Sequence, residues 1–184
     1  MPRLRFSSTP FNGLMRVQRQ RLDDPRGFFS RVFCADEFRE AGFAMPVAQV
    51  NQTFTRRCGA VRGLHFQRPP HAEDKFITCL RGQVHDVAVD LRRESATYLQ
   101  WHAETLSADN GLSLLIPKGF AHGFQALSND CELLYVHSVA YNADAEGALN
   151  VRDPAIGIRW PLDITELSER DARHPLMTSA FTGF

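Results

Sequence analysis

The chain has 184 residues, of which 43% are apolar, and its 21 basic and 21 acidic side chains give a net charge of zero. We expect one domain over residues 1–184 and no nucleic-acid partner, because a dedicated nucleic-acid binder usually carries a basic excess. The four cysteines form no C-x-x-C pair, and no segment has the apolar length of a signal peptide or a membrane span, so we expect a cytoplasmic protein with no membrane partner.

Short segments rich in Val, Phe, Leu and Thr, separated by Gly, Asn, Asp and Pro, predict a chain made mostly of β-strands. In chain order the main predicted elements are strand 27–34, helix 36–41, strand 83–91, strand 98–106, a turn at 109–111, strand 112–116, strand 131–140 and a short helix near residue 168. Many short strands with two marginal helices predict an all-β sandwich or barrel of the jelly-roll kind.

The segment VRGLHFQ at 61–67 places Arg62 and His65 three residues apart in an apolar strand pattern. Gly63 between them permits close approach of backbone or ligand. Histidine suits a general base because its unperturbed pKa lies near neutrality, and arginine suits an anion. The alternative is a surface arginine beside a hydrogen-bonded structural histidine.

The segment PKGFAHGF at 117–124 has the P-x-G-x-x-H spacing of the second half of the metal-binding cupin signature. In that signature the histidine, here His122, often ligates a metal. The first half requires an H-x-H pair, but this chain has His65 followed by Phe66 and Gln67. Because three protein ligands cannot be placed, we expect no metal.

Alternation along 131–140 places Leu133, Tyr135, His137 and Val139 on one side of the strand. Tyr141 follows Tyr135 by an even number of residues, so the two share a face if the strand is continuous. Tyrosines in strands are usually packing residues, whereas a tyrosine that faces a cavity can donate a proton.

Two further charged residues are candidates for the site. Asp171 is the N3 residue of a capping box that starts at Ser168, a position where a carboxylate stabilises a helix. Lys75 is one of only two lysines, beside 19 arginines, and lies ten residues after His65. A lysine ammonium is more easily tuned by burial than a guanidinium, so Lys75 is the candidate for a buried catalytic ammonium.

Taken together, these segments resemble the dTDP-4-dehydrorhamnose 3,5-epimerase family of nucleotide-sugar enzymes over roughly residues 13–176. Six segments in the family's order carry the resemblance: DPRGFF at 24–29, NQTFTRRCGAVRGLHFQ at 51–67, GQVHDVAVDLRRES at 82–95, IPKGFAHGF at 116–124, DPAIGIRWP at 153–161 and LSERDARHPL at 167–176.

The resemblance implies a cupin-type jelly-roll barrel with short peripheral helices, a homodimer, and no metal or organic cofactor. It implies acid–base inversion of the carbons that flank a sugar ketone. His65 would be the base, with Asp171 orienting it. Tyr135 would be the proton donor, Lys75 would lie near the enolate charge, and His122 would line the same pocket.

The resemblance also implies how the nucleotide sugar is held. The matching positions that hold nucleotide or sugar are Arg26, Gln49, Asn51, Arg62 and Glu146, and Tyr141 matches a position that stacks on the base. Arg26 and Arg62 suit diphosphate oxygens. The chain departs from the family at Arg31, where the family usually has glutamate, so the identity of the nucleotide stays open.

The leading hypothesis is an isomerase that inverts C3, C5 or both in a nucleotide-diphosphate 4-keto-6-deoxy sugar. The reaction expected first is the conversion of dTDP-4-dehydro-6-deoxyglucose to dTDP-4-dehydrorhamnose. One alternative is a 3-only or 5-only epimerase of a CDP- or GDP-linked sugar, motivated by Arg31. Another is a non-catalytic sugar-nucleotide binding module or a metal-dependent cupin.

Overall fold

The structure, a computed structural model, describes residues 2–43 and 46–184. These residues form a six-stranded sheet, a five-stranded sheet and a two-stranded hairpin, with antiparallel pairing throughout. The strands are β1 (Leu4–Ser8), β2 (Met15–Arg19), β3 (Arg21–Asp24), β4 (Gly27–Ser30), β5 (Gln49–Thr55), β6 (Val61–Gln67), β7 (Lys75–Arg81), β8 (Gln83–Asp90), β9 (Trp101–Ser107), β10 (Leu112–Ile116), β11 (Phe120–Ala126), β12 (Cys131–His137) and β13 (Glu146–Ala148).

The two large sheets pack face to face around the main core. The six-stranded sheet has the order β1-β2-β10-β7-β12-β5, and the five-stranded sheet has the order β13-β6-β11-β8-β9. Ile77 and Leu133 from the first sheet meet Ala88 and Phe124 from the second in one buried cluster. This arrangement confirms the all-β jelly-roll prediction.

The outer faces of both sheets are also covered. Phe38 packs with Phe76 and Val136 on the outside of the six-stranded sheet. The segment after β13 contributes Ile156 to a cluster with Val87 on the outside of the five-stranded sheet. Strands in the middle of each sheet are therefore buried on both sides, and polar side chains on them need partners within the protein.

Both predicted helices are present. The first, α1 (Ala35–Glu40), is followed by a turn in which Gly42 has a φ of +91°. The second, α2 (Glu169–Arg173), starts after Ser168, whose hydroxyl accepts a hydrogen bond from the backbone N–H of Asp171 at 3.0 Å. Neither these helices nor the 3₁₀ turn at Ala143–Ala145, in the part of the chain that is described, could cross a membrane.

Three predicted strands begin or end at least three residues inside their expected bounds. β12 ends at His137 and not at residue 140. β4 ends at Ser30 and not at residue 34, because its partner β3 begins at Arg21, which pairs with Ser30. β9 begins at Trp101 and not at residue 98. The hydroxyls of Ser95 and Thr97 bind the buried carboxylate of Asp90 at 2.6 and 2.7 Å, which folds the preceding segment into turns.

Candidate active site

A cavity of about 960 Å³ lies between the two sheets and is closed on one side by α2. Its wall combines side chains from β5, β7 and β12 of one sheet with side chains from β6 and β11 of the other. Of the eleven predicted site residues, nine line this cavity. They are Asn51, Arg62, His65, Lys75, His122, Tyr135, Tyr141, Glu146 and Asp171.

His65 and Asp171 form a hydrogen-bonded pair although they are 106 residues apart in sequence. His65 Nε2 lies 2.8 Å from Asp171 Oδ1, and the aspartate is only 3% exposed. Burial alone would raise the pKa of Asp171, but the hydrogen bond and charge of His65 outweigh it and hold that pKa below its usual range. The ionised carboxylate favours the tautomer with hydrogen on Nε2, which leaves Nδ1 of His65 as the basic nitrogen.

The capping-box interpretation of Asp171 is half correct. Its backbone N–H is capped by Ser168, but its carboxylate does not accept the reciprocal hydrogen bond from the backbone N–H of Ser168. The carboxylate turns instead to His65 and to the backbone N–H of Gly63, 3.4 Å from Oδ2. The short helix α2 therefore serves to place this carboxylate under the base.

Gly63 lets β6 and β11 approach closely beside the base. Its φ is +130°, and a Cβ at this position would lie 2.5 Å from Gly123 Cα and 2.9 Å from the carbonyl oxygen of His122. Only glycine fits such a backbone at this distance. The approach seats His65 directly opposite His122 in the strand pairing.

Tyr135 lies on the opposite wall of the cavity from His65, on β12. Its ring is buried between His122, at a centroid distance of 5.9 Å, and His137, which is parallel to it at 6.0 Å. Burial raises the pKa of Tyr135 well above the usual value for a phenol. The phenol is therefore neutral at physiological pH and carries a proton that it can donate.

Lys75 places a buried ammonium in the same cavity. The side chain is 7% exposed, and Nζ donates a hydrogen bond of 3.1 Å to the main-chain oxygen of His65. Nζ also lies 3.3 Å from Oε1 of Glu73. The positive charge is thus fixed next to the strand that carries the base.

His122 is fully enclosed and paired with Asp86 from β8, with 2.8 Å between Nε2 and Oδ2. Burial lowers the pKa of His122, and this outweighs the opposing effect of the Asp86 carboxylate. The neutral ring is fixed in the cavity wall beside Tyr135. This position matches the prediction that His122 lines the pocket.

Arg62 is anchored by two hydrogen bonds that orient its guanidinium. Nε donates to the Thr55 hydroxyl at 3.0 Å and Nη2 donates to the Phe54 carbonyl at 3.2 Å. Arg56 and Arg57, which follow Thr55 in the chain, also line the cavity. Three arginines in the cavity wall make the cavity suitable for an anion.

Tyr141 reaches the cavity by a different route from the one predicted. β12 ends at His137, so Tyr141 does not share a strand with Tyr135. It lies in the following loop with its ring 55% exposed, and its hydroxyl donates to Glu146 at 3.1 Å. An exposed ring at the mouth of a cavity is suited to stacking on a flat ligand.

Gln49 does not line the cavity, but it forms hydrogen bonds with two residues that line it, Asn51 and Tyr141. Its Nε2 donates to the side chain of Asn51 at 3.0 Å, and its Oε1 accepts from the backbone N–H of Tyr141 at 3.0 Å. Gln49 therefore fixes the rim of the cavity.

Two predicted or noted arginines lie away from the cavity of this chain. Arg26 is in the turn between β3 and β4, exposed to solvent, and paired with Asp24 at 2.7 Å. Arg31 pairs with Glu37 of α1. The reversed charge at Arg31 is thus balanced by a helix residue and does not alter the charge of the cavity wall.

Among the cavity residues that sequence reasoning missed, three have titratable side chains next to the predicted catalytic residues. They are Glu73, His137 and Arg170. Each has a signal in the sequence: Glu73 is two residues before Lys75, His137 shares the strand face of Tyr135, and Arg170 precedes Asp171. Arg170 Nη2 lies 3.2 Å from His65 Nε2.

One group of described residues has the donor atoms of a metal site, namely His65, Asp171 and His174, whose donor atoms lie within 4.8 Å of one another. The guanidinium of Arg170 lies 3.5 Å from Asp171 Oδ1 as well as beside His65 Nε2. A fixed positive charge at that point opposes a second cation. The arrangement fits proton transfer better than metal ligation.

Known proteins resemble this chain over nearly its whole length. A family model described as dTDP-4-dehydrorhamnose 3,5-epimerase matches residues 8–179. A Sinorhizobium fredii protein of that name is 40% identical over 171 residues, which cover 92% of this chain and 88% of the relative. A Streptomyces niveus protein named dTDP-4-dehydrorhamnose 3-epimerase is 35% identical over 178 residues, 96% of this chain and 86% of the relative.

A solved structure agrees with the sequence comparisons. The dTDP-4-dehydrorhamnose 3,5-epimerase of Bacillus anthracis, crystallised with TDP and PPi bound, superimposes with a TM-score of 0.91 at 35% identity and covers 95% of this chain and 99% of that one. The fold is accordingly the cupin-type jelly roll that the resemblance implies. The chain therefore belongs to the dTDP-4-dehydrorhamnose 3,5-epimerase family.

Proposed function

We propose that this protein epimerises a nucleotide-diphosphate 4-keto-6-deoxy sugar, converting dTDP-4-dehydro-6-deoxyglucose to dTDP-4-dehydrorhamnose. The observation that carries the proposal is the buried His65–Asp171 pair on one wall of the cavity with a neutral Tyr135 on the other. A base and an acid on opposite walls are what inversion at carbon requires, because the proton must leave one face of the sugar ring and return to the other.

In the proposed mechanism, Nδ1 of His65 takes the proton from a carbon next to the C4 ketone. The electron pair moves to O4, and the ammonium of Lys75 stabilises the resulting enolate. Tyr135 then donates its phenolic proton to the opposite face of that carbon. Asp171 holds the His65 ring in place and stabilises the imidazolium.

The nucleotide is assigned to the cavity wall along β5, between Arg62, which is anchored at Thr55, and Tyr141, which is bound by Gln49 at the other end of that strand. Arg62, with its two nitrogens anchored, suits the diphosphate. Tyr141, held by Glu146, suits the flat base, and the rim amides of Gln49 and Asn51 suit hydrogen bonds to the sugar or base. Arg26 can contribute only if a second chain brings its hairpin to this cavity.

The test is deuterium wash-in from heavy water at C3 and C5 of dTDP-4-dehydro-6-deoxyglucose, followed by NMR. We expect exchange at both carbons together with formation of dTDP-4-dehydrorhamnose. If neither C3 nor C5 exchanges in dTDP-, CDP- or GDP-linked 4-keto sugars, the proposal is wrong. Heat-denatured protein is the control for spontaneous exchange.

A single-carbon epimerase is the second candidate. The relative from Streptomyces niveus, named a 3-epimerase, is similar to this chain over almost all of its length. The same wash-in experiment separates the two candidates, since a 3-epimerase exchanges C3 and leaves C5 protonated. Comparing dTDP- with CDP- and GDP-linked substrates identifies the nucleotide.

We further propose that residues 1–184 act as one domain in a homodimer. Exposed apolar side chains support this: Val50 and Phe54 lie on the edge strand β5, and Phe28 and Phe29 lie on the β3–β4 hairpin. Large apolar side chains grouped at a sheet edge are typical of an interface. Light scattering coupled to size exclusion should give twice the chain mass of 20.8 kDa, and a monomer at micromolar concentration would contradict the dimer.

The proposed location is the cytoplasm. All four cysteines are free thiols, as expected for a protein that works in a reducing compartment. Fractionation of the source cells tests this location.

A further inference from the structure

We propose that Glu73 and His137 are positioning residues that hold Lys75 as a charged ammonium beside the reacting ketone. The inference rests on the proposed function. Glu73 bridges the other two side chains: Oε1 lies 3.3 Å from Lys75 Nζ and Oε2 lies 2.8 Å from His137 Nδ1. All three side chains line the cavity and are largely buried.

The carboxylate of Glu73 is the only acidic group within ion-pair distance of Lys75 among the described residues. A buried ammonium without a counter-charge favours its neutral form, and a neutral amine cannot stabilise an enolate as a cation does. Burial would raise the pKa of Glu73, but the hydrogen bond of His137 and the charge of Lys75 outweigh it and keep that pKa below its usual range. Glu73 is therefore a carboxylate at physiological pH.

His137 fixes the second oxygen of that carboxylate. Its ring is parallel to the ring of Tyr135, and its Nε2 lies 3.4 Å from Asn51 Nδ2 on the neighbouring strand. With both oxygens held, Glu73 keeps its position when the substrate enters. A carboxylate held at one point only would be free to turn toward the anionic substrate, where it would oppose binding and the enolate charge.

The other groups that face Lys75 carry no negative charge, so Glu73 is its counter-charge. From β6 the contact is the main-chain oxygen of His65, and from β11 the nearest titratable group is the neutral ring of His122. On β12 the paired residue is His137, and on β10 it is the apolar Ile116. Tyr135, two residues before His137 on β12, is neutral.

The test is the pH profile of kcat and KM from pH 6 to 10 for the parent protein and Glu73→Gln, with the dTDP-linked 4-keto sugar as substrate. Gln keeps the shape but removes the charge. We expect kcat to decline at lower pH than in the parent, with kcat at pH 9 at least about tenfold below the parent. KM at pH 6 should stay within about twofold, because the nucleotide is held elsewhere. Glu73→Asp, which restores the charge, should return the decline toward the parent.

The matched control is Glu104→Gln. Glu104 also accepts from a histidine, His102, at 2.7 Å, but lies outside the cavity. Its variant should have the pH profile of the parent. Superimposable profiles for the parent and Glu73→Gln would overturn the inference, whereas a parent that catalyses no exchange would overturn the proposed function itself.

A second variant covers the case in which Glu73→Gln does not fold, as judged by thermal unfolding. His137→Phe keeps a ring against Tyr135 but removes the donor to Glu73. We expect kcat at pH 7 to fall by at least about threefold with KM unchanged, and His137→Gln, which can still donate, to recover most of it. A kcat for His137→Phe equal to that of the parent would overturn the role of His137.

Discussion

Replacing His65 with alanine should lower both deuterium wash-in and product formation by about 10²- to 10⁴-fold, the range that a positioned general base contributes. The variant removes the only ring that is hydrogen-bonded to Asp171 in the described structure. It leaves Lys75, Tyr135 and the arginines of the cavity in place, so binding of the nucleotide should persist. Single-turnover NMR of exchange, with KM measured beside it, gives the magnitude.

His102→Ala is the matched control for that experiment. His102 forms a comparable pair with Glu104, 2.7 Å from Nε2 to Oε1, and is partly buried, but it lies on β9 outside the cavity. Its variant should exchange substrate at the rate of the parent. Exchange by His65→Ala within about tenfold of the parent would show that another group is the base.

Asp171 shows what sequence spacing can and cannot predict. Its position three residues after Ser168 correctly predicts the start of α2, since capping is a local interaction. Its pairing with His65 depends on the fold, which brings together residues that lie far apart in the chain. Only the resemblance of several segments to one family anticipated that pair, and the spacing alone favoured the cap.

The cavity residues that sequence reasoning missed have a related explanation. Glu73 and His137 come together because β7 and β12 are neighbours in the six-stranded sheet, where His137 pairs with Lys75. Strand alternation placed His137 on the face of Tyr135, but the partner of each strand is set by topology. A long-range sheet pairing has no local signature, so the carboxylate that accompanies Lys75 could not be assigned.

The class of fold could be predicted from the sequence more accurately than the residues at which each strand begins and ends. Turn residues separate the strands, and this pattern is local. β4 and β12 end where their partner strands end. β9 is shorter than predicted because the hydroxyls of Ser95 and Thr97 donate hydrogen bonds to Asp90, which folds the preceding segment into turns. The position of Arg26 is a further case: its motif matches the family, but whether it reaches a cavity depends on a second chain.

Replacing Tyr135 with phenylalanine should separate proton removal from inversion. The variant keeps the ring against His122 and His137 and removes only the phenolic proton. We expect epimerised product to fall by about 10²-fold or more, while His65 continues to remove a proton and return deuterium to the same face. Wash-in with retained configuration should therefore stay within about tenfold of the parent, as measured by NMR in heavy water with the two sugar epimers resolved.

The pH dependence of the parent provides a second check on the same residue. Because burial raises the pKa of Tyr135, the phenol keeps its proton across the neutral and moderately alkaline range, and its ionisation occurs only at higher pH than for a free tyrosine. An alkaline decline of kcat that Glu73→Gln moves and Tyr135→Phe does not would assign the decline to the Lys75 pair.

The control for Tyr135→Phe is Tyr98→Phe, since Tyr98 lies outside the residues that line the cavity. Tyr98→Phe should give product at the parental rate. Parental product formation by Tyr135→Phe would exclude the phenol as the donor. Loss of exchange together with product would place Tyr135 in proton removal. Exchange without inversion is the result that requires an acid on the wall opposite His65. The fold provides that arrangement, because β6 of one sheet carries the base and β12 of the facing sheet carries the acid.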